Sequence, residues 1–361
     1  NGIITLCLKE EGQKFSKMSK VGNGLILRHH LRTHPCFYVT YCRDVKFKNI
    51  DVYHTLGMAF IAQHTREIEL DRFNVKINPS NPRIFTATAD ATHFVYCGGE
   101  IKINDCLFEN QLDDPINVHG IYARIEKVID EKTIMVQLVH HQQKGVAIGE
   151  IGEELQVVDN LTMLSIHKTK IENICTLNKD YILINLSCPC GEMKTGYVVE
   201  NLAYVPNVTV TNCVFRNNRA RGPLLTAGGK ILLEKNYFSV AGAAVLIEGD
   251  SNLWFESGAT KDISILNNVF DNCAYIPDWG QAPIQVTPST VKASGNERFH
   301  KKLVVKNNVF NCFDGRLLYA KHIENIEFTD NKITKTDKFP PVGNERFHLE
   351  EVVSFTEKNN G

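Results

Sequence analysis

A repeat with a base spacing of 23 residues limits what this chain can fold into more strongly than any other feature. Eight segments share one pattern, in which two apolar residues alternate with polar ones, a polar corner with Asn or Asp follows, and an apolar pair ends the segment. Successive spacings are 23, 33, 107, 23, 32, 40 and 23 residues, as in a solenoid whose insertions fall in loops. The first apolar residues of the eight segments are Val45, Ile68, Ile101, Val208, Ile231, Ile263, Leu303 and Ile326.

This repeat predicts a right-handed parallel β-helix. Its segments are short alternating strands separated by Asn-rich bends, and they lack the leucine and helix pattern of a leucine-rich horseshoe. The recurring asparagines are expected to form one ladder at a corner of the coils, because Asn accepts left-handed backbone geometry and can hydrogen-bond along the stack. The asparagines of this predicted ladder are Asn49, Asn212, Asn236, Asn268, Asn308 and Asn331.

The 107-residue spacing contains a segment that lacks the coil motif. Residues 121–200 have alternating strand patterns separated by charged turns, which favours an inserted antiparallel β subdomain, barrel-like in form. We therefore predict three parts: β-helix coils with the candidate site over residues 1–120, the insertion over residues 121–200, and further coils over residues 201–361.

Composition argues against several classes of function. Forty basic and 41 acidic residues give a net charge of −1, which offers no electrostatic support for binding nucleic acid. No run of about 18 apolar residues indicates a membrane span.

His140 and His141 lack metal-ligand spacing, so we expect them at the surface. The 11 cysteines have no disulfide-like spacing, and those in strand-like runs are expected to be buried free thiols: Cys97, Cys106, Cys213, Cys273 and Cys312.

The candidate chemistry lies in the stretch ENQLDDPINVHG, residues 109–120. Strands disfavour Asp, and adjacent like charges repel, so the pair Asp113 and Asp114 needs a reason. Asp90 lies 23 residues before Asp113, which is one coil. Because stacked strands are about 4.8 Å apart, we expect Asp90 and Asp113 one above the other, with Asp114 beside them.

An acidic cluster of this kind suits either a solvated or calcium-binding edge or the hydrolysis of a glycosidic bond. Hydrolysis needs one protonated and one ionised carboxyl, and packing like charges together moves their pKa values apart. The residues expected on the same face favour sugar chemistry over calcium, and no metal or cofactor is expected. They are the cationic Arg219 and Arg221 and the neutral hydrogen-bonding groups Asn117, His119 and His93.

Four motifs resemble glycoside hydrolase family 110, the bacterial α-1,3-galactosidases. They are YHTLGMAFIAQ (53–63), ATADATHF (87–94), ENQLDDPINVHG (109–120) and GDSNLWFESGA (249–259), and the resemblance runs from about Val21 to the last coil. It implies that the chain removes terminal galactose from blood group B-type and related linear glycans, with inversion and without a metal. It also implies that Asp113 is the general acid, while Asp90 and Asp114 hold the attacking water.

Further contacts with the sugar are expected from residues near these motifs. Trp279 is expected to stack on galactose, and Glu256 to accept hydrogen bonds from its hydroxyls. Arg221, and more weakly Arg219, is expected to clamp hydroxyls, and Gln63 to line the floor. The expected partner is an oligosaccharide with a terminal α-galactose; a homo-oligomer is left open.

Two alternatives stay open beside the galactosidase. One is another β-helix enzyme, either a polygalacturonase-like hydrolase or a calcium-dependent lyase. The other is a non-catalytic β-helix that only binds glycan. The resemblance implies a periplasmic or secreted location in a bacterium. Because the chain begins at Asn1 with neither Met nor a signal-like segment, we expect that the true N-terminus was trimmed or is missing.

Overall fold

The computed structural model describes residues 20–27, 32–290 and 292–361, and it confirms a parallel β-helix with an inserted antiparallel barrel. The first face of the helix carries the repeat motif. Its strands are β2 (Arg43–Val52), β4 (Arg66–Val75), β6 (Gly98–Asn104), β15 (Asn207–Thr211), β18 (Lys230–Glu234), β22 (Asp262–Leu266), β25 (His300–Lys306), β27 (Leu318–Thr329) and β29 (Phe347–Lys358).

Two further faces complete each coil. The second comprises β7 (Leu107–Glu109), β16 (Val214–Arg216), β19 (Tyr237–Ser239), β23 (Val269–Asp271), β26 (Val309–Cys312) and β28 (Lys332–Lys335). The third comprises β1 (Phe37–Thr40), β3 (Phe60–Gln63), β5 (Thr92–Val95), β8 (Ile116–Ile121), β17 (Leu224–Thr226), β20 (Val245–Ile247) and β24 (Ile284–Val286).

The predicted register of the coils is confirmed at every step of the repeat. Val45 lies opposite Ile68, and Ile68 opposite Ile101. Ile101 lies opposite Val208, although 107 residues separate them. The remaining pairs follow the same column: Val208 with Ile231, Ile231 with Ile263, Ile263 with Leu303, and Leu303 with Ile326.

The insertion is a closed barrel of six antiparallel strands. It leaves the β-helix directly after β8, and the coils resume at β15. Its loop between β10 and β11 packs back on the coils, where Tyr96 donates to the Ile148 carbonyl across 2.6 Å. The barrel strands are β9 (Ala123–Val128), β10 (Thr133–Gln137), β11 (Glu154–Val158), β12 (Ser165–Thr176), β13 (Tyr181–Leu186) and β14 (Val198–Asn201).

Three short elements remain, and the described part of the chain has little helix. The strand β21 (Glu256–Ser257) pairs antiparallel with the end of β8. The 3₁₀ turns are η1 (Leu202–Tyr204) and η2 (Pro277–Trp279). None of the described helical segments is long and apolar enough to cross a membrane.

Stacked phenylalanines fill the interior of the later coils. Phe215, Phe238, Phe270 and Phe310 are fully buried, and their ring centroids follow one another at 5.0, 5.1 and 4.7 Å. Cross-strand apolar stacking of this kind stabilises sheets, because each ring is removed from water by its neighbours. The five cysteines predicted to be buried free thiols are confirmed as such.

The predicted single ladder of six asparagines is wrong in part, because it merges two adjacent columns. Asn49 and Asn212 are exposed and have left-handed backbone geometry, with φ of 56° and 55°. The other four lie one position further along the coil, are buried, and form a continuous amide ladder. These four are Asn236, Asn268, Asn308 and Asn331.

We expect Asn268→Ala to destabilise the β-helix strongly. The Asn268 amide donates to the Leu233 carbonyl, and its oxygen accepts from the backbone N–H of Asn236. Alanine leaves both buried backbone groups without a partner, at roughly 1–3 kcal/mol each. Urea unfolding should therefore report a loss of roughly 2–6 kcal/mol. The matched Asn344→Ala change in an exposed loop should cost little, and equal losses would contradict the ladder's role.

Candidate active site

A cleft of about 550 Å³ opens beside the third face of the β-helix, where the barrel stands against the coils. Its floor is formed by the residues that precede β5, β8 and β17, and one wall comes from the barrel loop between β10 and β11. Nearly all the predicted site residues line it: Asp90, Asp113, Asp114, His93, Asn117, His119, Arg221, Glu256, Trp279 and Gln63. Arg219 is the exception and does not line the cleft. Its guanidinium lies 4.8 Å from the centre of the Trp279 ring.

The three aspartates do lie together, but the predicted stacking of Asp90 over Asp113 is wrong. Thr92 in β5 lies opposite Ile116 in β8, a separation of 24 residues and not 23. Asp90 and Asp114 each lie two residues before this pair. The same register therefore places Asp114 above Asp90 and leaves Asp113 beside them. One oxygen from each of the three carboxyls lies within 4.8 Å of the corresponding oxygens of the other two.

The three carboxyls differ in burial and in their partners. Asp114 is buried and accepts two hydrogen bonds from the Arg221 guanidinium, Nε to Oδ1 at 3.1 Å and Nη2 to Oδ2 at 2.8 Å. Asp90 is also buried, and its Oδ2 lies 2.7 Å from His93 Nδ1. Asp113 is the most open, with 16% of its side chain exposed, and it accepts from Arg32 Nη2 at 2.8 Å.

Burial and mutual repulsion control how these groups ionise. Burial and the nearby Asp113 raise the pKa of Asp90, against the opposing charges of Arg32 and Arg221. Burial also raises the pKa of Asp114, and Arg221 opposes that shift. A carboxyl with a raised pKa can hold or exchange a proton near neutral pH, which an acid–base centre requires.

Other polar groups in the cleft could bind a ligand. Asn117 is buried, and its Oδ1 has no hydrogen-bond partner among the described residues. Glu256 is carried by β21 and lies 3.7 Å from His119 Nε2. Gln63 accepts from the Tyr38 hydroxyl at 3.0 Å. A buried acceptor without a partner is costly unless a ligand or water satisfies it, so Asn117 is suited to bind a donor.

Several residues that line the cleft were not predicted from the sequence. Arg32 reaches Asp113 from a segment before the first strand, and no pattern in the sequence connected the two. Glu248 immediately precedes the GDSNLWFESGA motif, and burial raises its pKa to about 7. His140, expected at the surface, lines the cleft with its ring centre 5.0 Å from that of Trp254.

The three aspartates are close enough to bind a cation together, although guanidinium groups already pair with two of them.

Comparison with known proteins gives a match in the barrel. Residues 133–194 match the family model of the GLAA-B beta-barrel domain II. The insertion is thus similar to a barrel domain that has its own family model. In this chain, a loop of the insertion forms the wall of the cleft that contains His140.

Over most of its length the chain is similar to proteins named as α-1,3-galactosidases. The chain is 35% identical over 329 residues to "Alpha-1,3-galactosidase A" of Shewanella woodyi, covering 91% of this chain and 54% of that protein. It is 32% identical over 336 residues to "Alpha-1,3-galactosidase B" of Bacteroides thetaiotaomicron, covering 92% and 54%. For "Alpha-1,3-galactosidase B" of Akkermansia muciniphila the identity is 31%, over 94% and 44%. The chain thus spans about half the length of the curated relatives it matches.

Proposed function

We propose that this chain carries the active centre of an exo-acting α-1,3-galactosidase of the glycoside hydrolase family 110 type. The observation that carries the proposal is the group of three aspartates on two adjacent rungs, set in a cleft between the coils and the barrel. Hydrolysis of a glycoside uses paired carboxyls and needs no cofactor. The names of the relatives supply the linkage and the sugar. We also propose a periplasmic or secreted location.

Asp113 is the proposed general acid. It is the most exposed of the three carboxyls, so it is the one most accessible to the leaving sugar. Its Oδ2 accepts a hydrogen bond from Arg32, and the substrate must displace this bond before Asp113 can protonate the glycosidic oxygen.

Asp90 and Asp114 are proposed to hold the attacking water. Both oxygens of Asp114 accept hydrogen bonds from Arg221, an arrangement that orients the carboxylate but weakens it as a nucleophile. For this reason we propose single displacement with inversion. The carboxyl oxygens lie closer together than the roughly 6.5–9.5 Å usual for inverting glycosidases, so the stereochemistry needs a direct test.

The galactose itself is proposed to bind on the walls of the cleft. Asn117 offers an unpartnered acceptor, and Glu256 a carboxylate, for the sugar hydroxyls. His93 and His119 border this region, although their ring nitrogens already have partners. The guanidinium groups of Arg219 and Arg221 lie 4.8 and 5.7 Å from the centre of the Trp279 ring, and Trp279 is proposed to stack on the sugar. Blood group B-type and linear α-galactosyl glycans are the proposed substrates.

A metal-dependent lyase is the second candidate, because three carboxyls within 4.8 Å of one another could hold a cation. Pairing of Asp113 with Arg32 and of Asp114 with Arg221 argues against it, since two positive charges already lie where the ion would bind.

Release of galactose with and without chelator tests the proposal. We expect free galactose from a B-type oligosaccharide and from a linear α-1,3-galactoside, at rates that EDTA changes by less than about two-fold. Sugar analysis of the products, with an α-1,4-galactoside as the control substrate, gives the readout. Loss of activity in EDTA, regained with calcium, would favour the metal-dependent alternative. Binding of the oligosaccharide without cleavage would favour a non-catalytic β-helix.

A further inference from the structure

Two buried histidines connect Asp90 to the backbone carbonyl of Gly120. His93 Nδ1 lies 2.7 Å from Asp90 Oδ2, and His93 Nε2 lies 2.9 Å from His119 Nε2. His119 Nδ1 lies 2.8 Å from the Gly120 oxygen. All four ring nitrogens therefore have partners, and neither ring has a nitrogen left for a sugar hydroxyl.

The positions of the protons along this chain follow from its last member together with the neutral state of both rings. A carbonyl only accepts hydrogen bonds, so His119 Nδ1 must carry the hydrogen. Burial lowers the pKa of His93 to about 4 and also lowers the pKa of His119, so both rings are neutral. Neutral His119 then accepts at Nε2, and His93 must donate from its own Nε2. His93 Nδ1 is left as an acceptor, and only a protonated Asp90 can donate to it.

The pairing of charges in the cleft agrees with this assignment. Asp113 and Asp114 each accept from a guanidinium group, whereas the hydrogen-bond partner of the Asp90 side chain is a neutral imidazole. The charged and titratable groups that face Asp90 or His119 are Asp113, Asp114, Arg32, Arg221, Glu256 and His140. Of these, Glu256 lies 3.7 Å from His119 Nε2 and can stabilise a positive charge on that ring.

We propose that His93 and His119 form a proton relay that holds a proton on Asp90 and passes one on when Asp90 accepts a proton from water. The relay rests on the proposed hydrolysis. Water gives a proton to Asp90 Oδ1 as its oxygen attacks the sugar. Asp90 Oδ2 gives its own proton to His93 Nδ1, and His93 Nε2 gives one to His119 Nε2. Asp90 and His93 end neutral, His119 ends as an imidazolium beside Glu256, and no proton is lost or gained.

This relay explains how a carboxyl that already holds a proton can still act as a base. A protonated carboxyl alone is a poor base, because it would have to carry a second proton. With the relay, each proton that arrives on one oxygen is matched by a proton that leaves from the other. His93 and His119 are thus positioning residues that act through Asp90.

Imidazole ¹⁵N NMR tests the resting state of the relay without any need for galactosidase activity. We expect His93 as the Nε2–H tautomer and His119 as the Nδ1–H tautomer, with neither ring titrating between about pH 5 and about pH 8. The variants His93→Gln and His119→Gln assign the signals by their loss. Observation of His93 as the Nδ1–H tautomer, or of either ring protonated at about pH 6, would overturn the proposal.

Kinetics of two His119 variants test the transfer of the proton. In His119→Gln the amide oxygen can still accept from His93, so the hydrogen bond remains, but no proton can move on. We expect kcat to fall at least about ten-fold with little change in KM. His119→Phe, which also removes the acceptor, should in addition alter the His93 tautomer. His348→Gln on the last coil is the matched control.

The outcomes of these measurements separate the relay from the proposed function. If His119→Gln keeps the full kcat of an active wild type, the histidines serve only as structure and the relay is wrong. If the wild type releases no galactose while the two tautomers are found as expected, the proposed hydrolysis fails but the assignment of the resting protons stands.

Discussion

Replacement of Asp113 by asparagine should lower the hydrolysis of a B-type oligosaccharide by about 10³-fold, within the range that general acid catalysis contributes. Asparagine has nearly the shape of aspartate and keeps an acceptor for Arg32, so the fold should be retained. It cannot donate a proton to the glycosidic oxygen, and a sugar alkoxide is a poor leaving group without that proton. Steady-state rates with circular dichroism as the check on folding give the measurement.

The leaving group separates the acid from the other two carboxyls. An aryl galactoside with an acidic phenol needs little protonation, so Asp113→Asn should cleave it at close to the wild-type rate. Asp90→Asn and Asp114→Asn should lose activity on both substrates, because water activation is needed whatever leaves. Asp105→Asn, in an exposed turn of the same coil, is the matched control. If Asp90→Asn, and not Asp113→Asn, regained activity on the aryl substrate, Asp90 would be the acid.

The repeat allowed the architecture to be predicted because the interior of a β-helix is a stack of equivalent positions. Each coil must set an inward apolar residue on the one below, so insertions of any length are absorbed in loops while the column is retained. Ile101 and Val208 illustrate this, since the whole barrel lies between them and they still pair. The barrel could be recognised as a gap in the repeat, with its own alternating strands.

The same logic failed where a coil changes its length by one residue. Asp90 and Asp113 fit the 23-residue spacing, but β5 and β8 pair at 24, and Asp114 takes the stacked position. A shift of one residue turns a side chain to the other face of a strand, so the error matters at the site. The prediction of a single asparagine ladder failed for a similar reason. The left-handed corners and the buried ladder are two adjacent columns that both contain Asn, and the sequence pattern did not separate them.

Residues that reach the cleft from outside the repeat could not be predicted at all. Arg32 comes from a segment before β1, Glu248 from the end of β20, and His140 from a barrel loop. Their positions depend on how loops pack and on how the barrel sits against the coils, and neither is encoded in a local pattern. The pairing of two histidines through their Nε2 atoms is similarly a product of three-dimensional packing.

These differences bear directly on the proposed reaction, because the register decides which two carboxyls lie one above the other. Asp90 and Asp114 now share a stacked pair of positions, and Asp113 lies to one side with its own guanidinium partner. We propose that a water held by the stacked pair approaches the sugar from the side opposite the acid. Such an approach would favour single displacement over a covalent intermediate, although the carboxyl oxygens lie within 4.8 Å of one another.

We therefore expect β-galactose as the first product from an α-linked substrate. In a single displacement, water attacks the anomeric carbon from the face opposite the leaving group, which inverts the configuration once. In a double displacement, Asp90 or Asp114 would bond to the sugar and water would invert it again, giving α-galactose. Proton NMR of the anomeric signals in the first minutes separates the two products before they interconvert, and freshly dissolved β-galactose in the same buffer calibrates that interconversion. An initial α-anomer would exclude the water-holding roles of Asp90 and Asp114, and with them the relay through His93, since no water would then be activated in the first step.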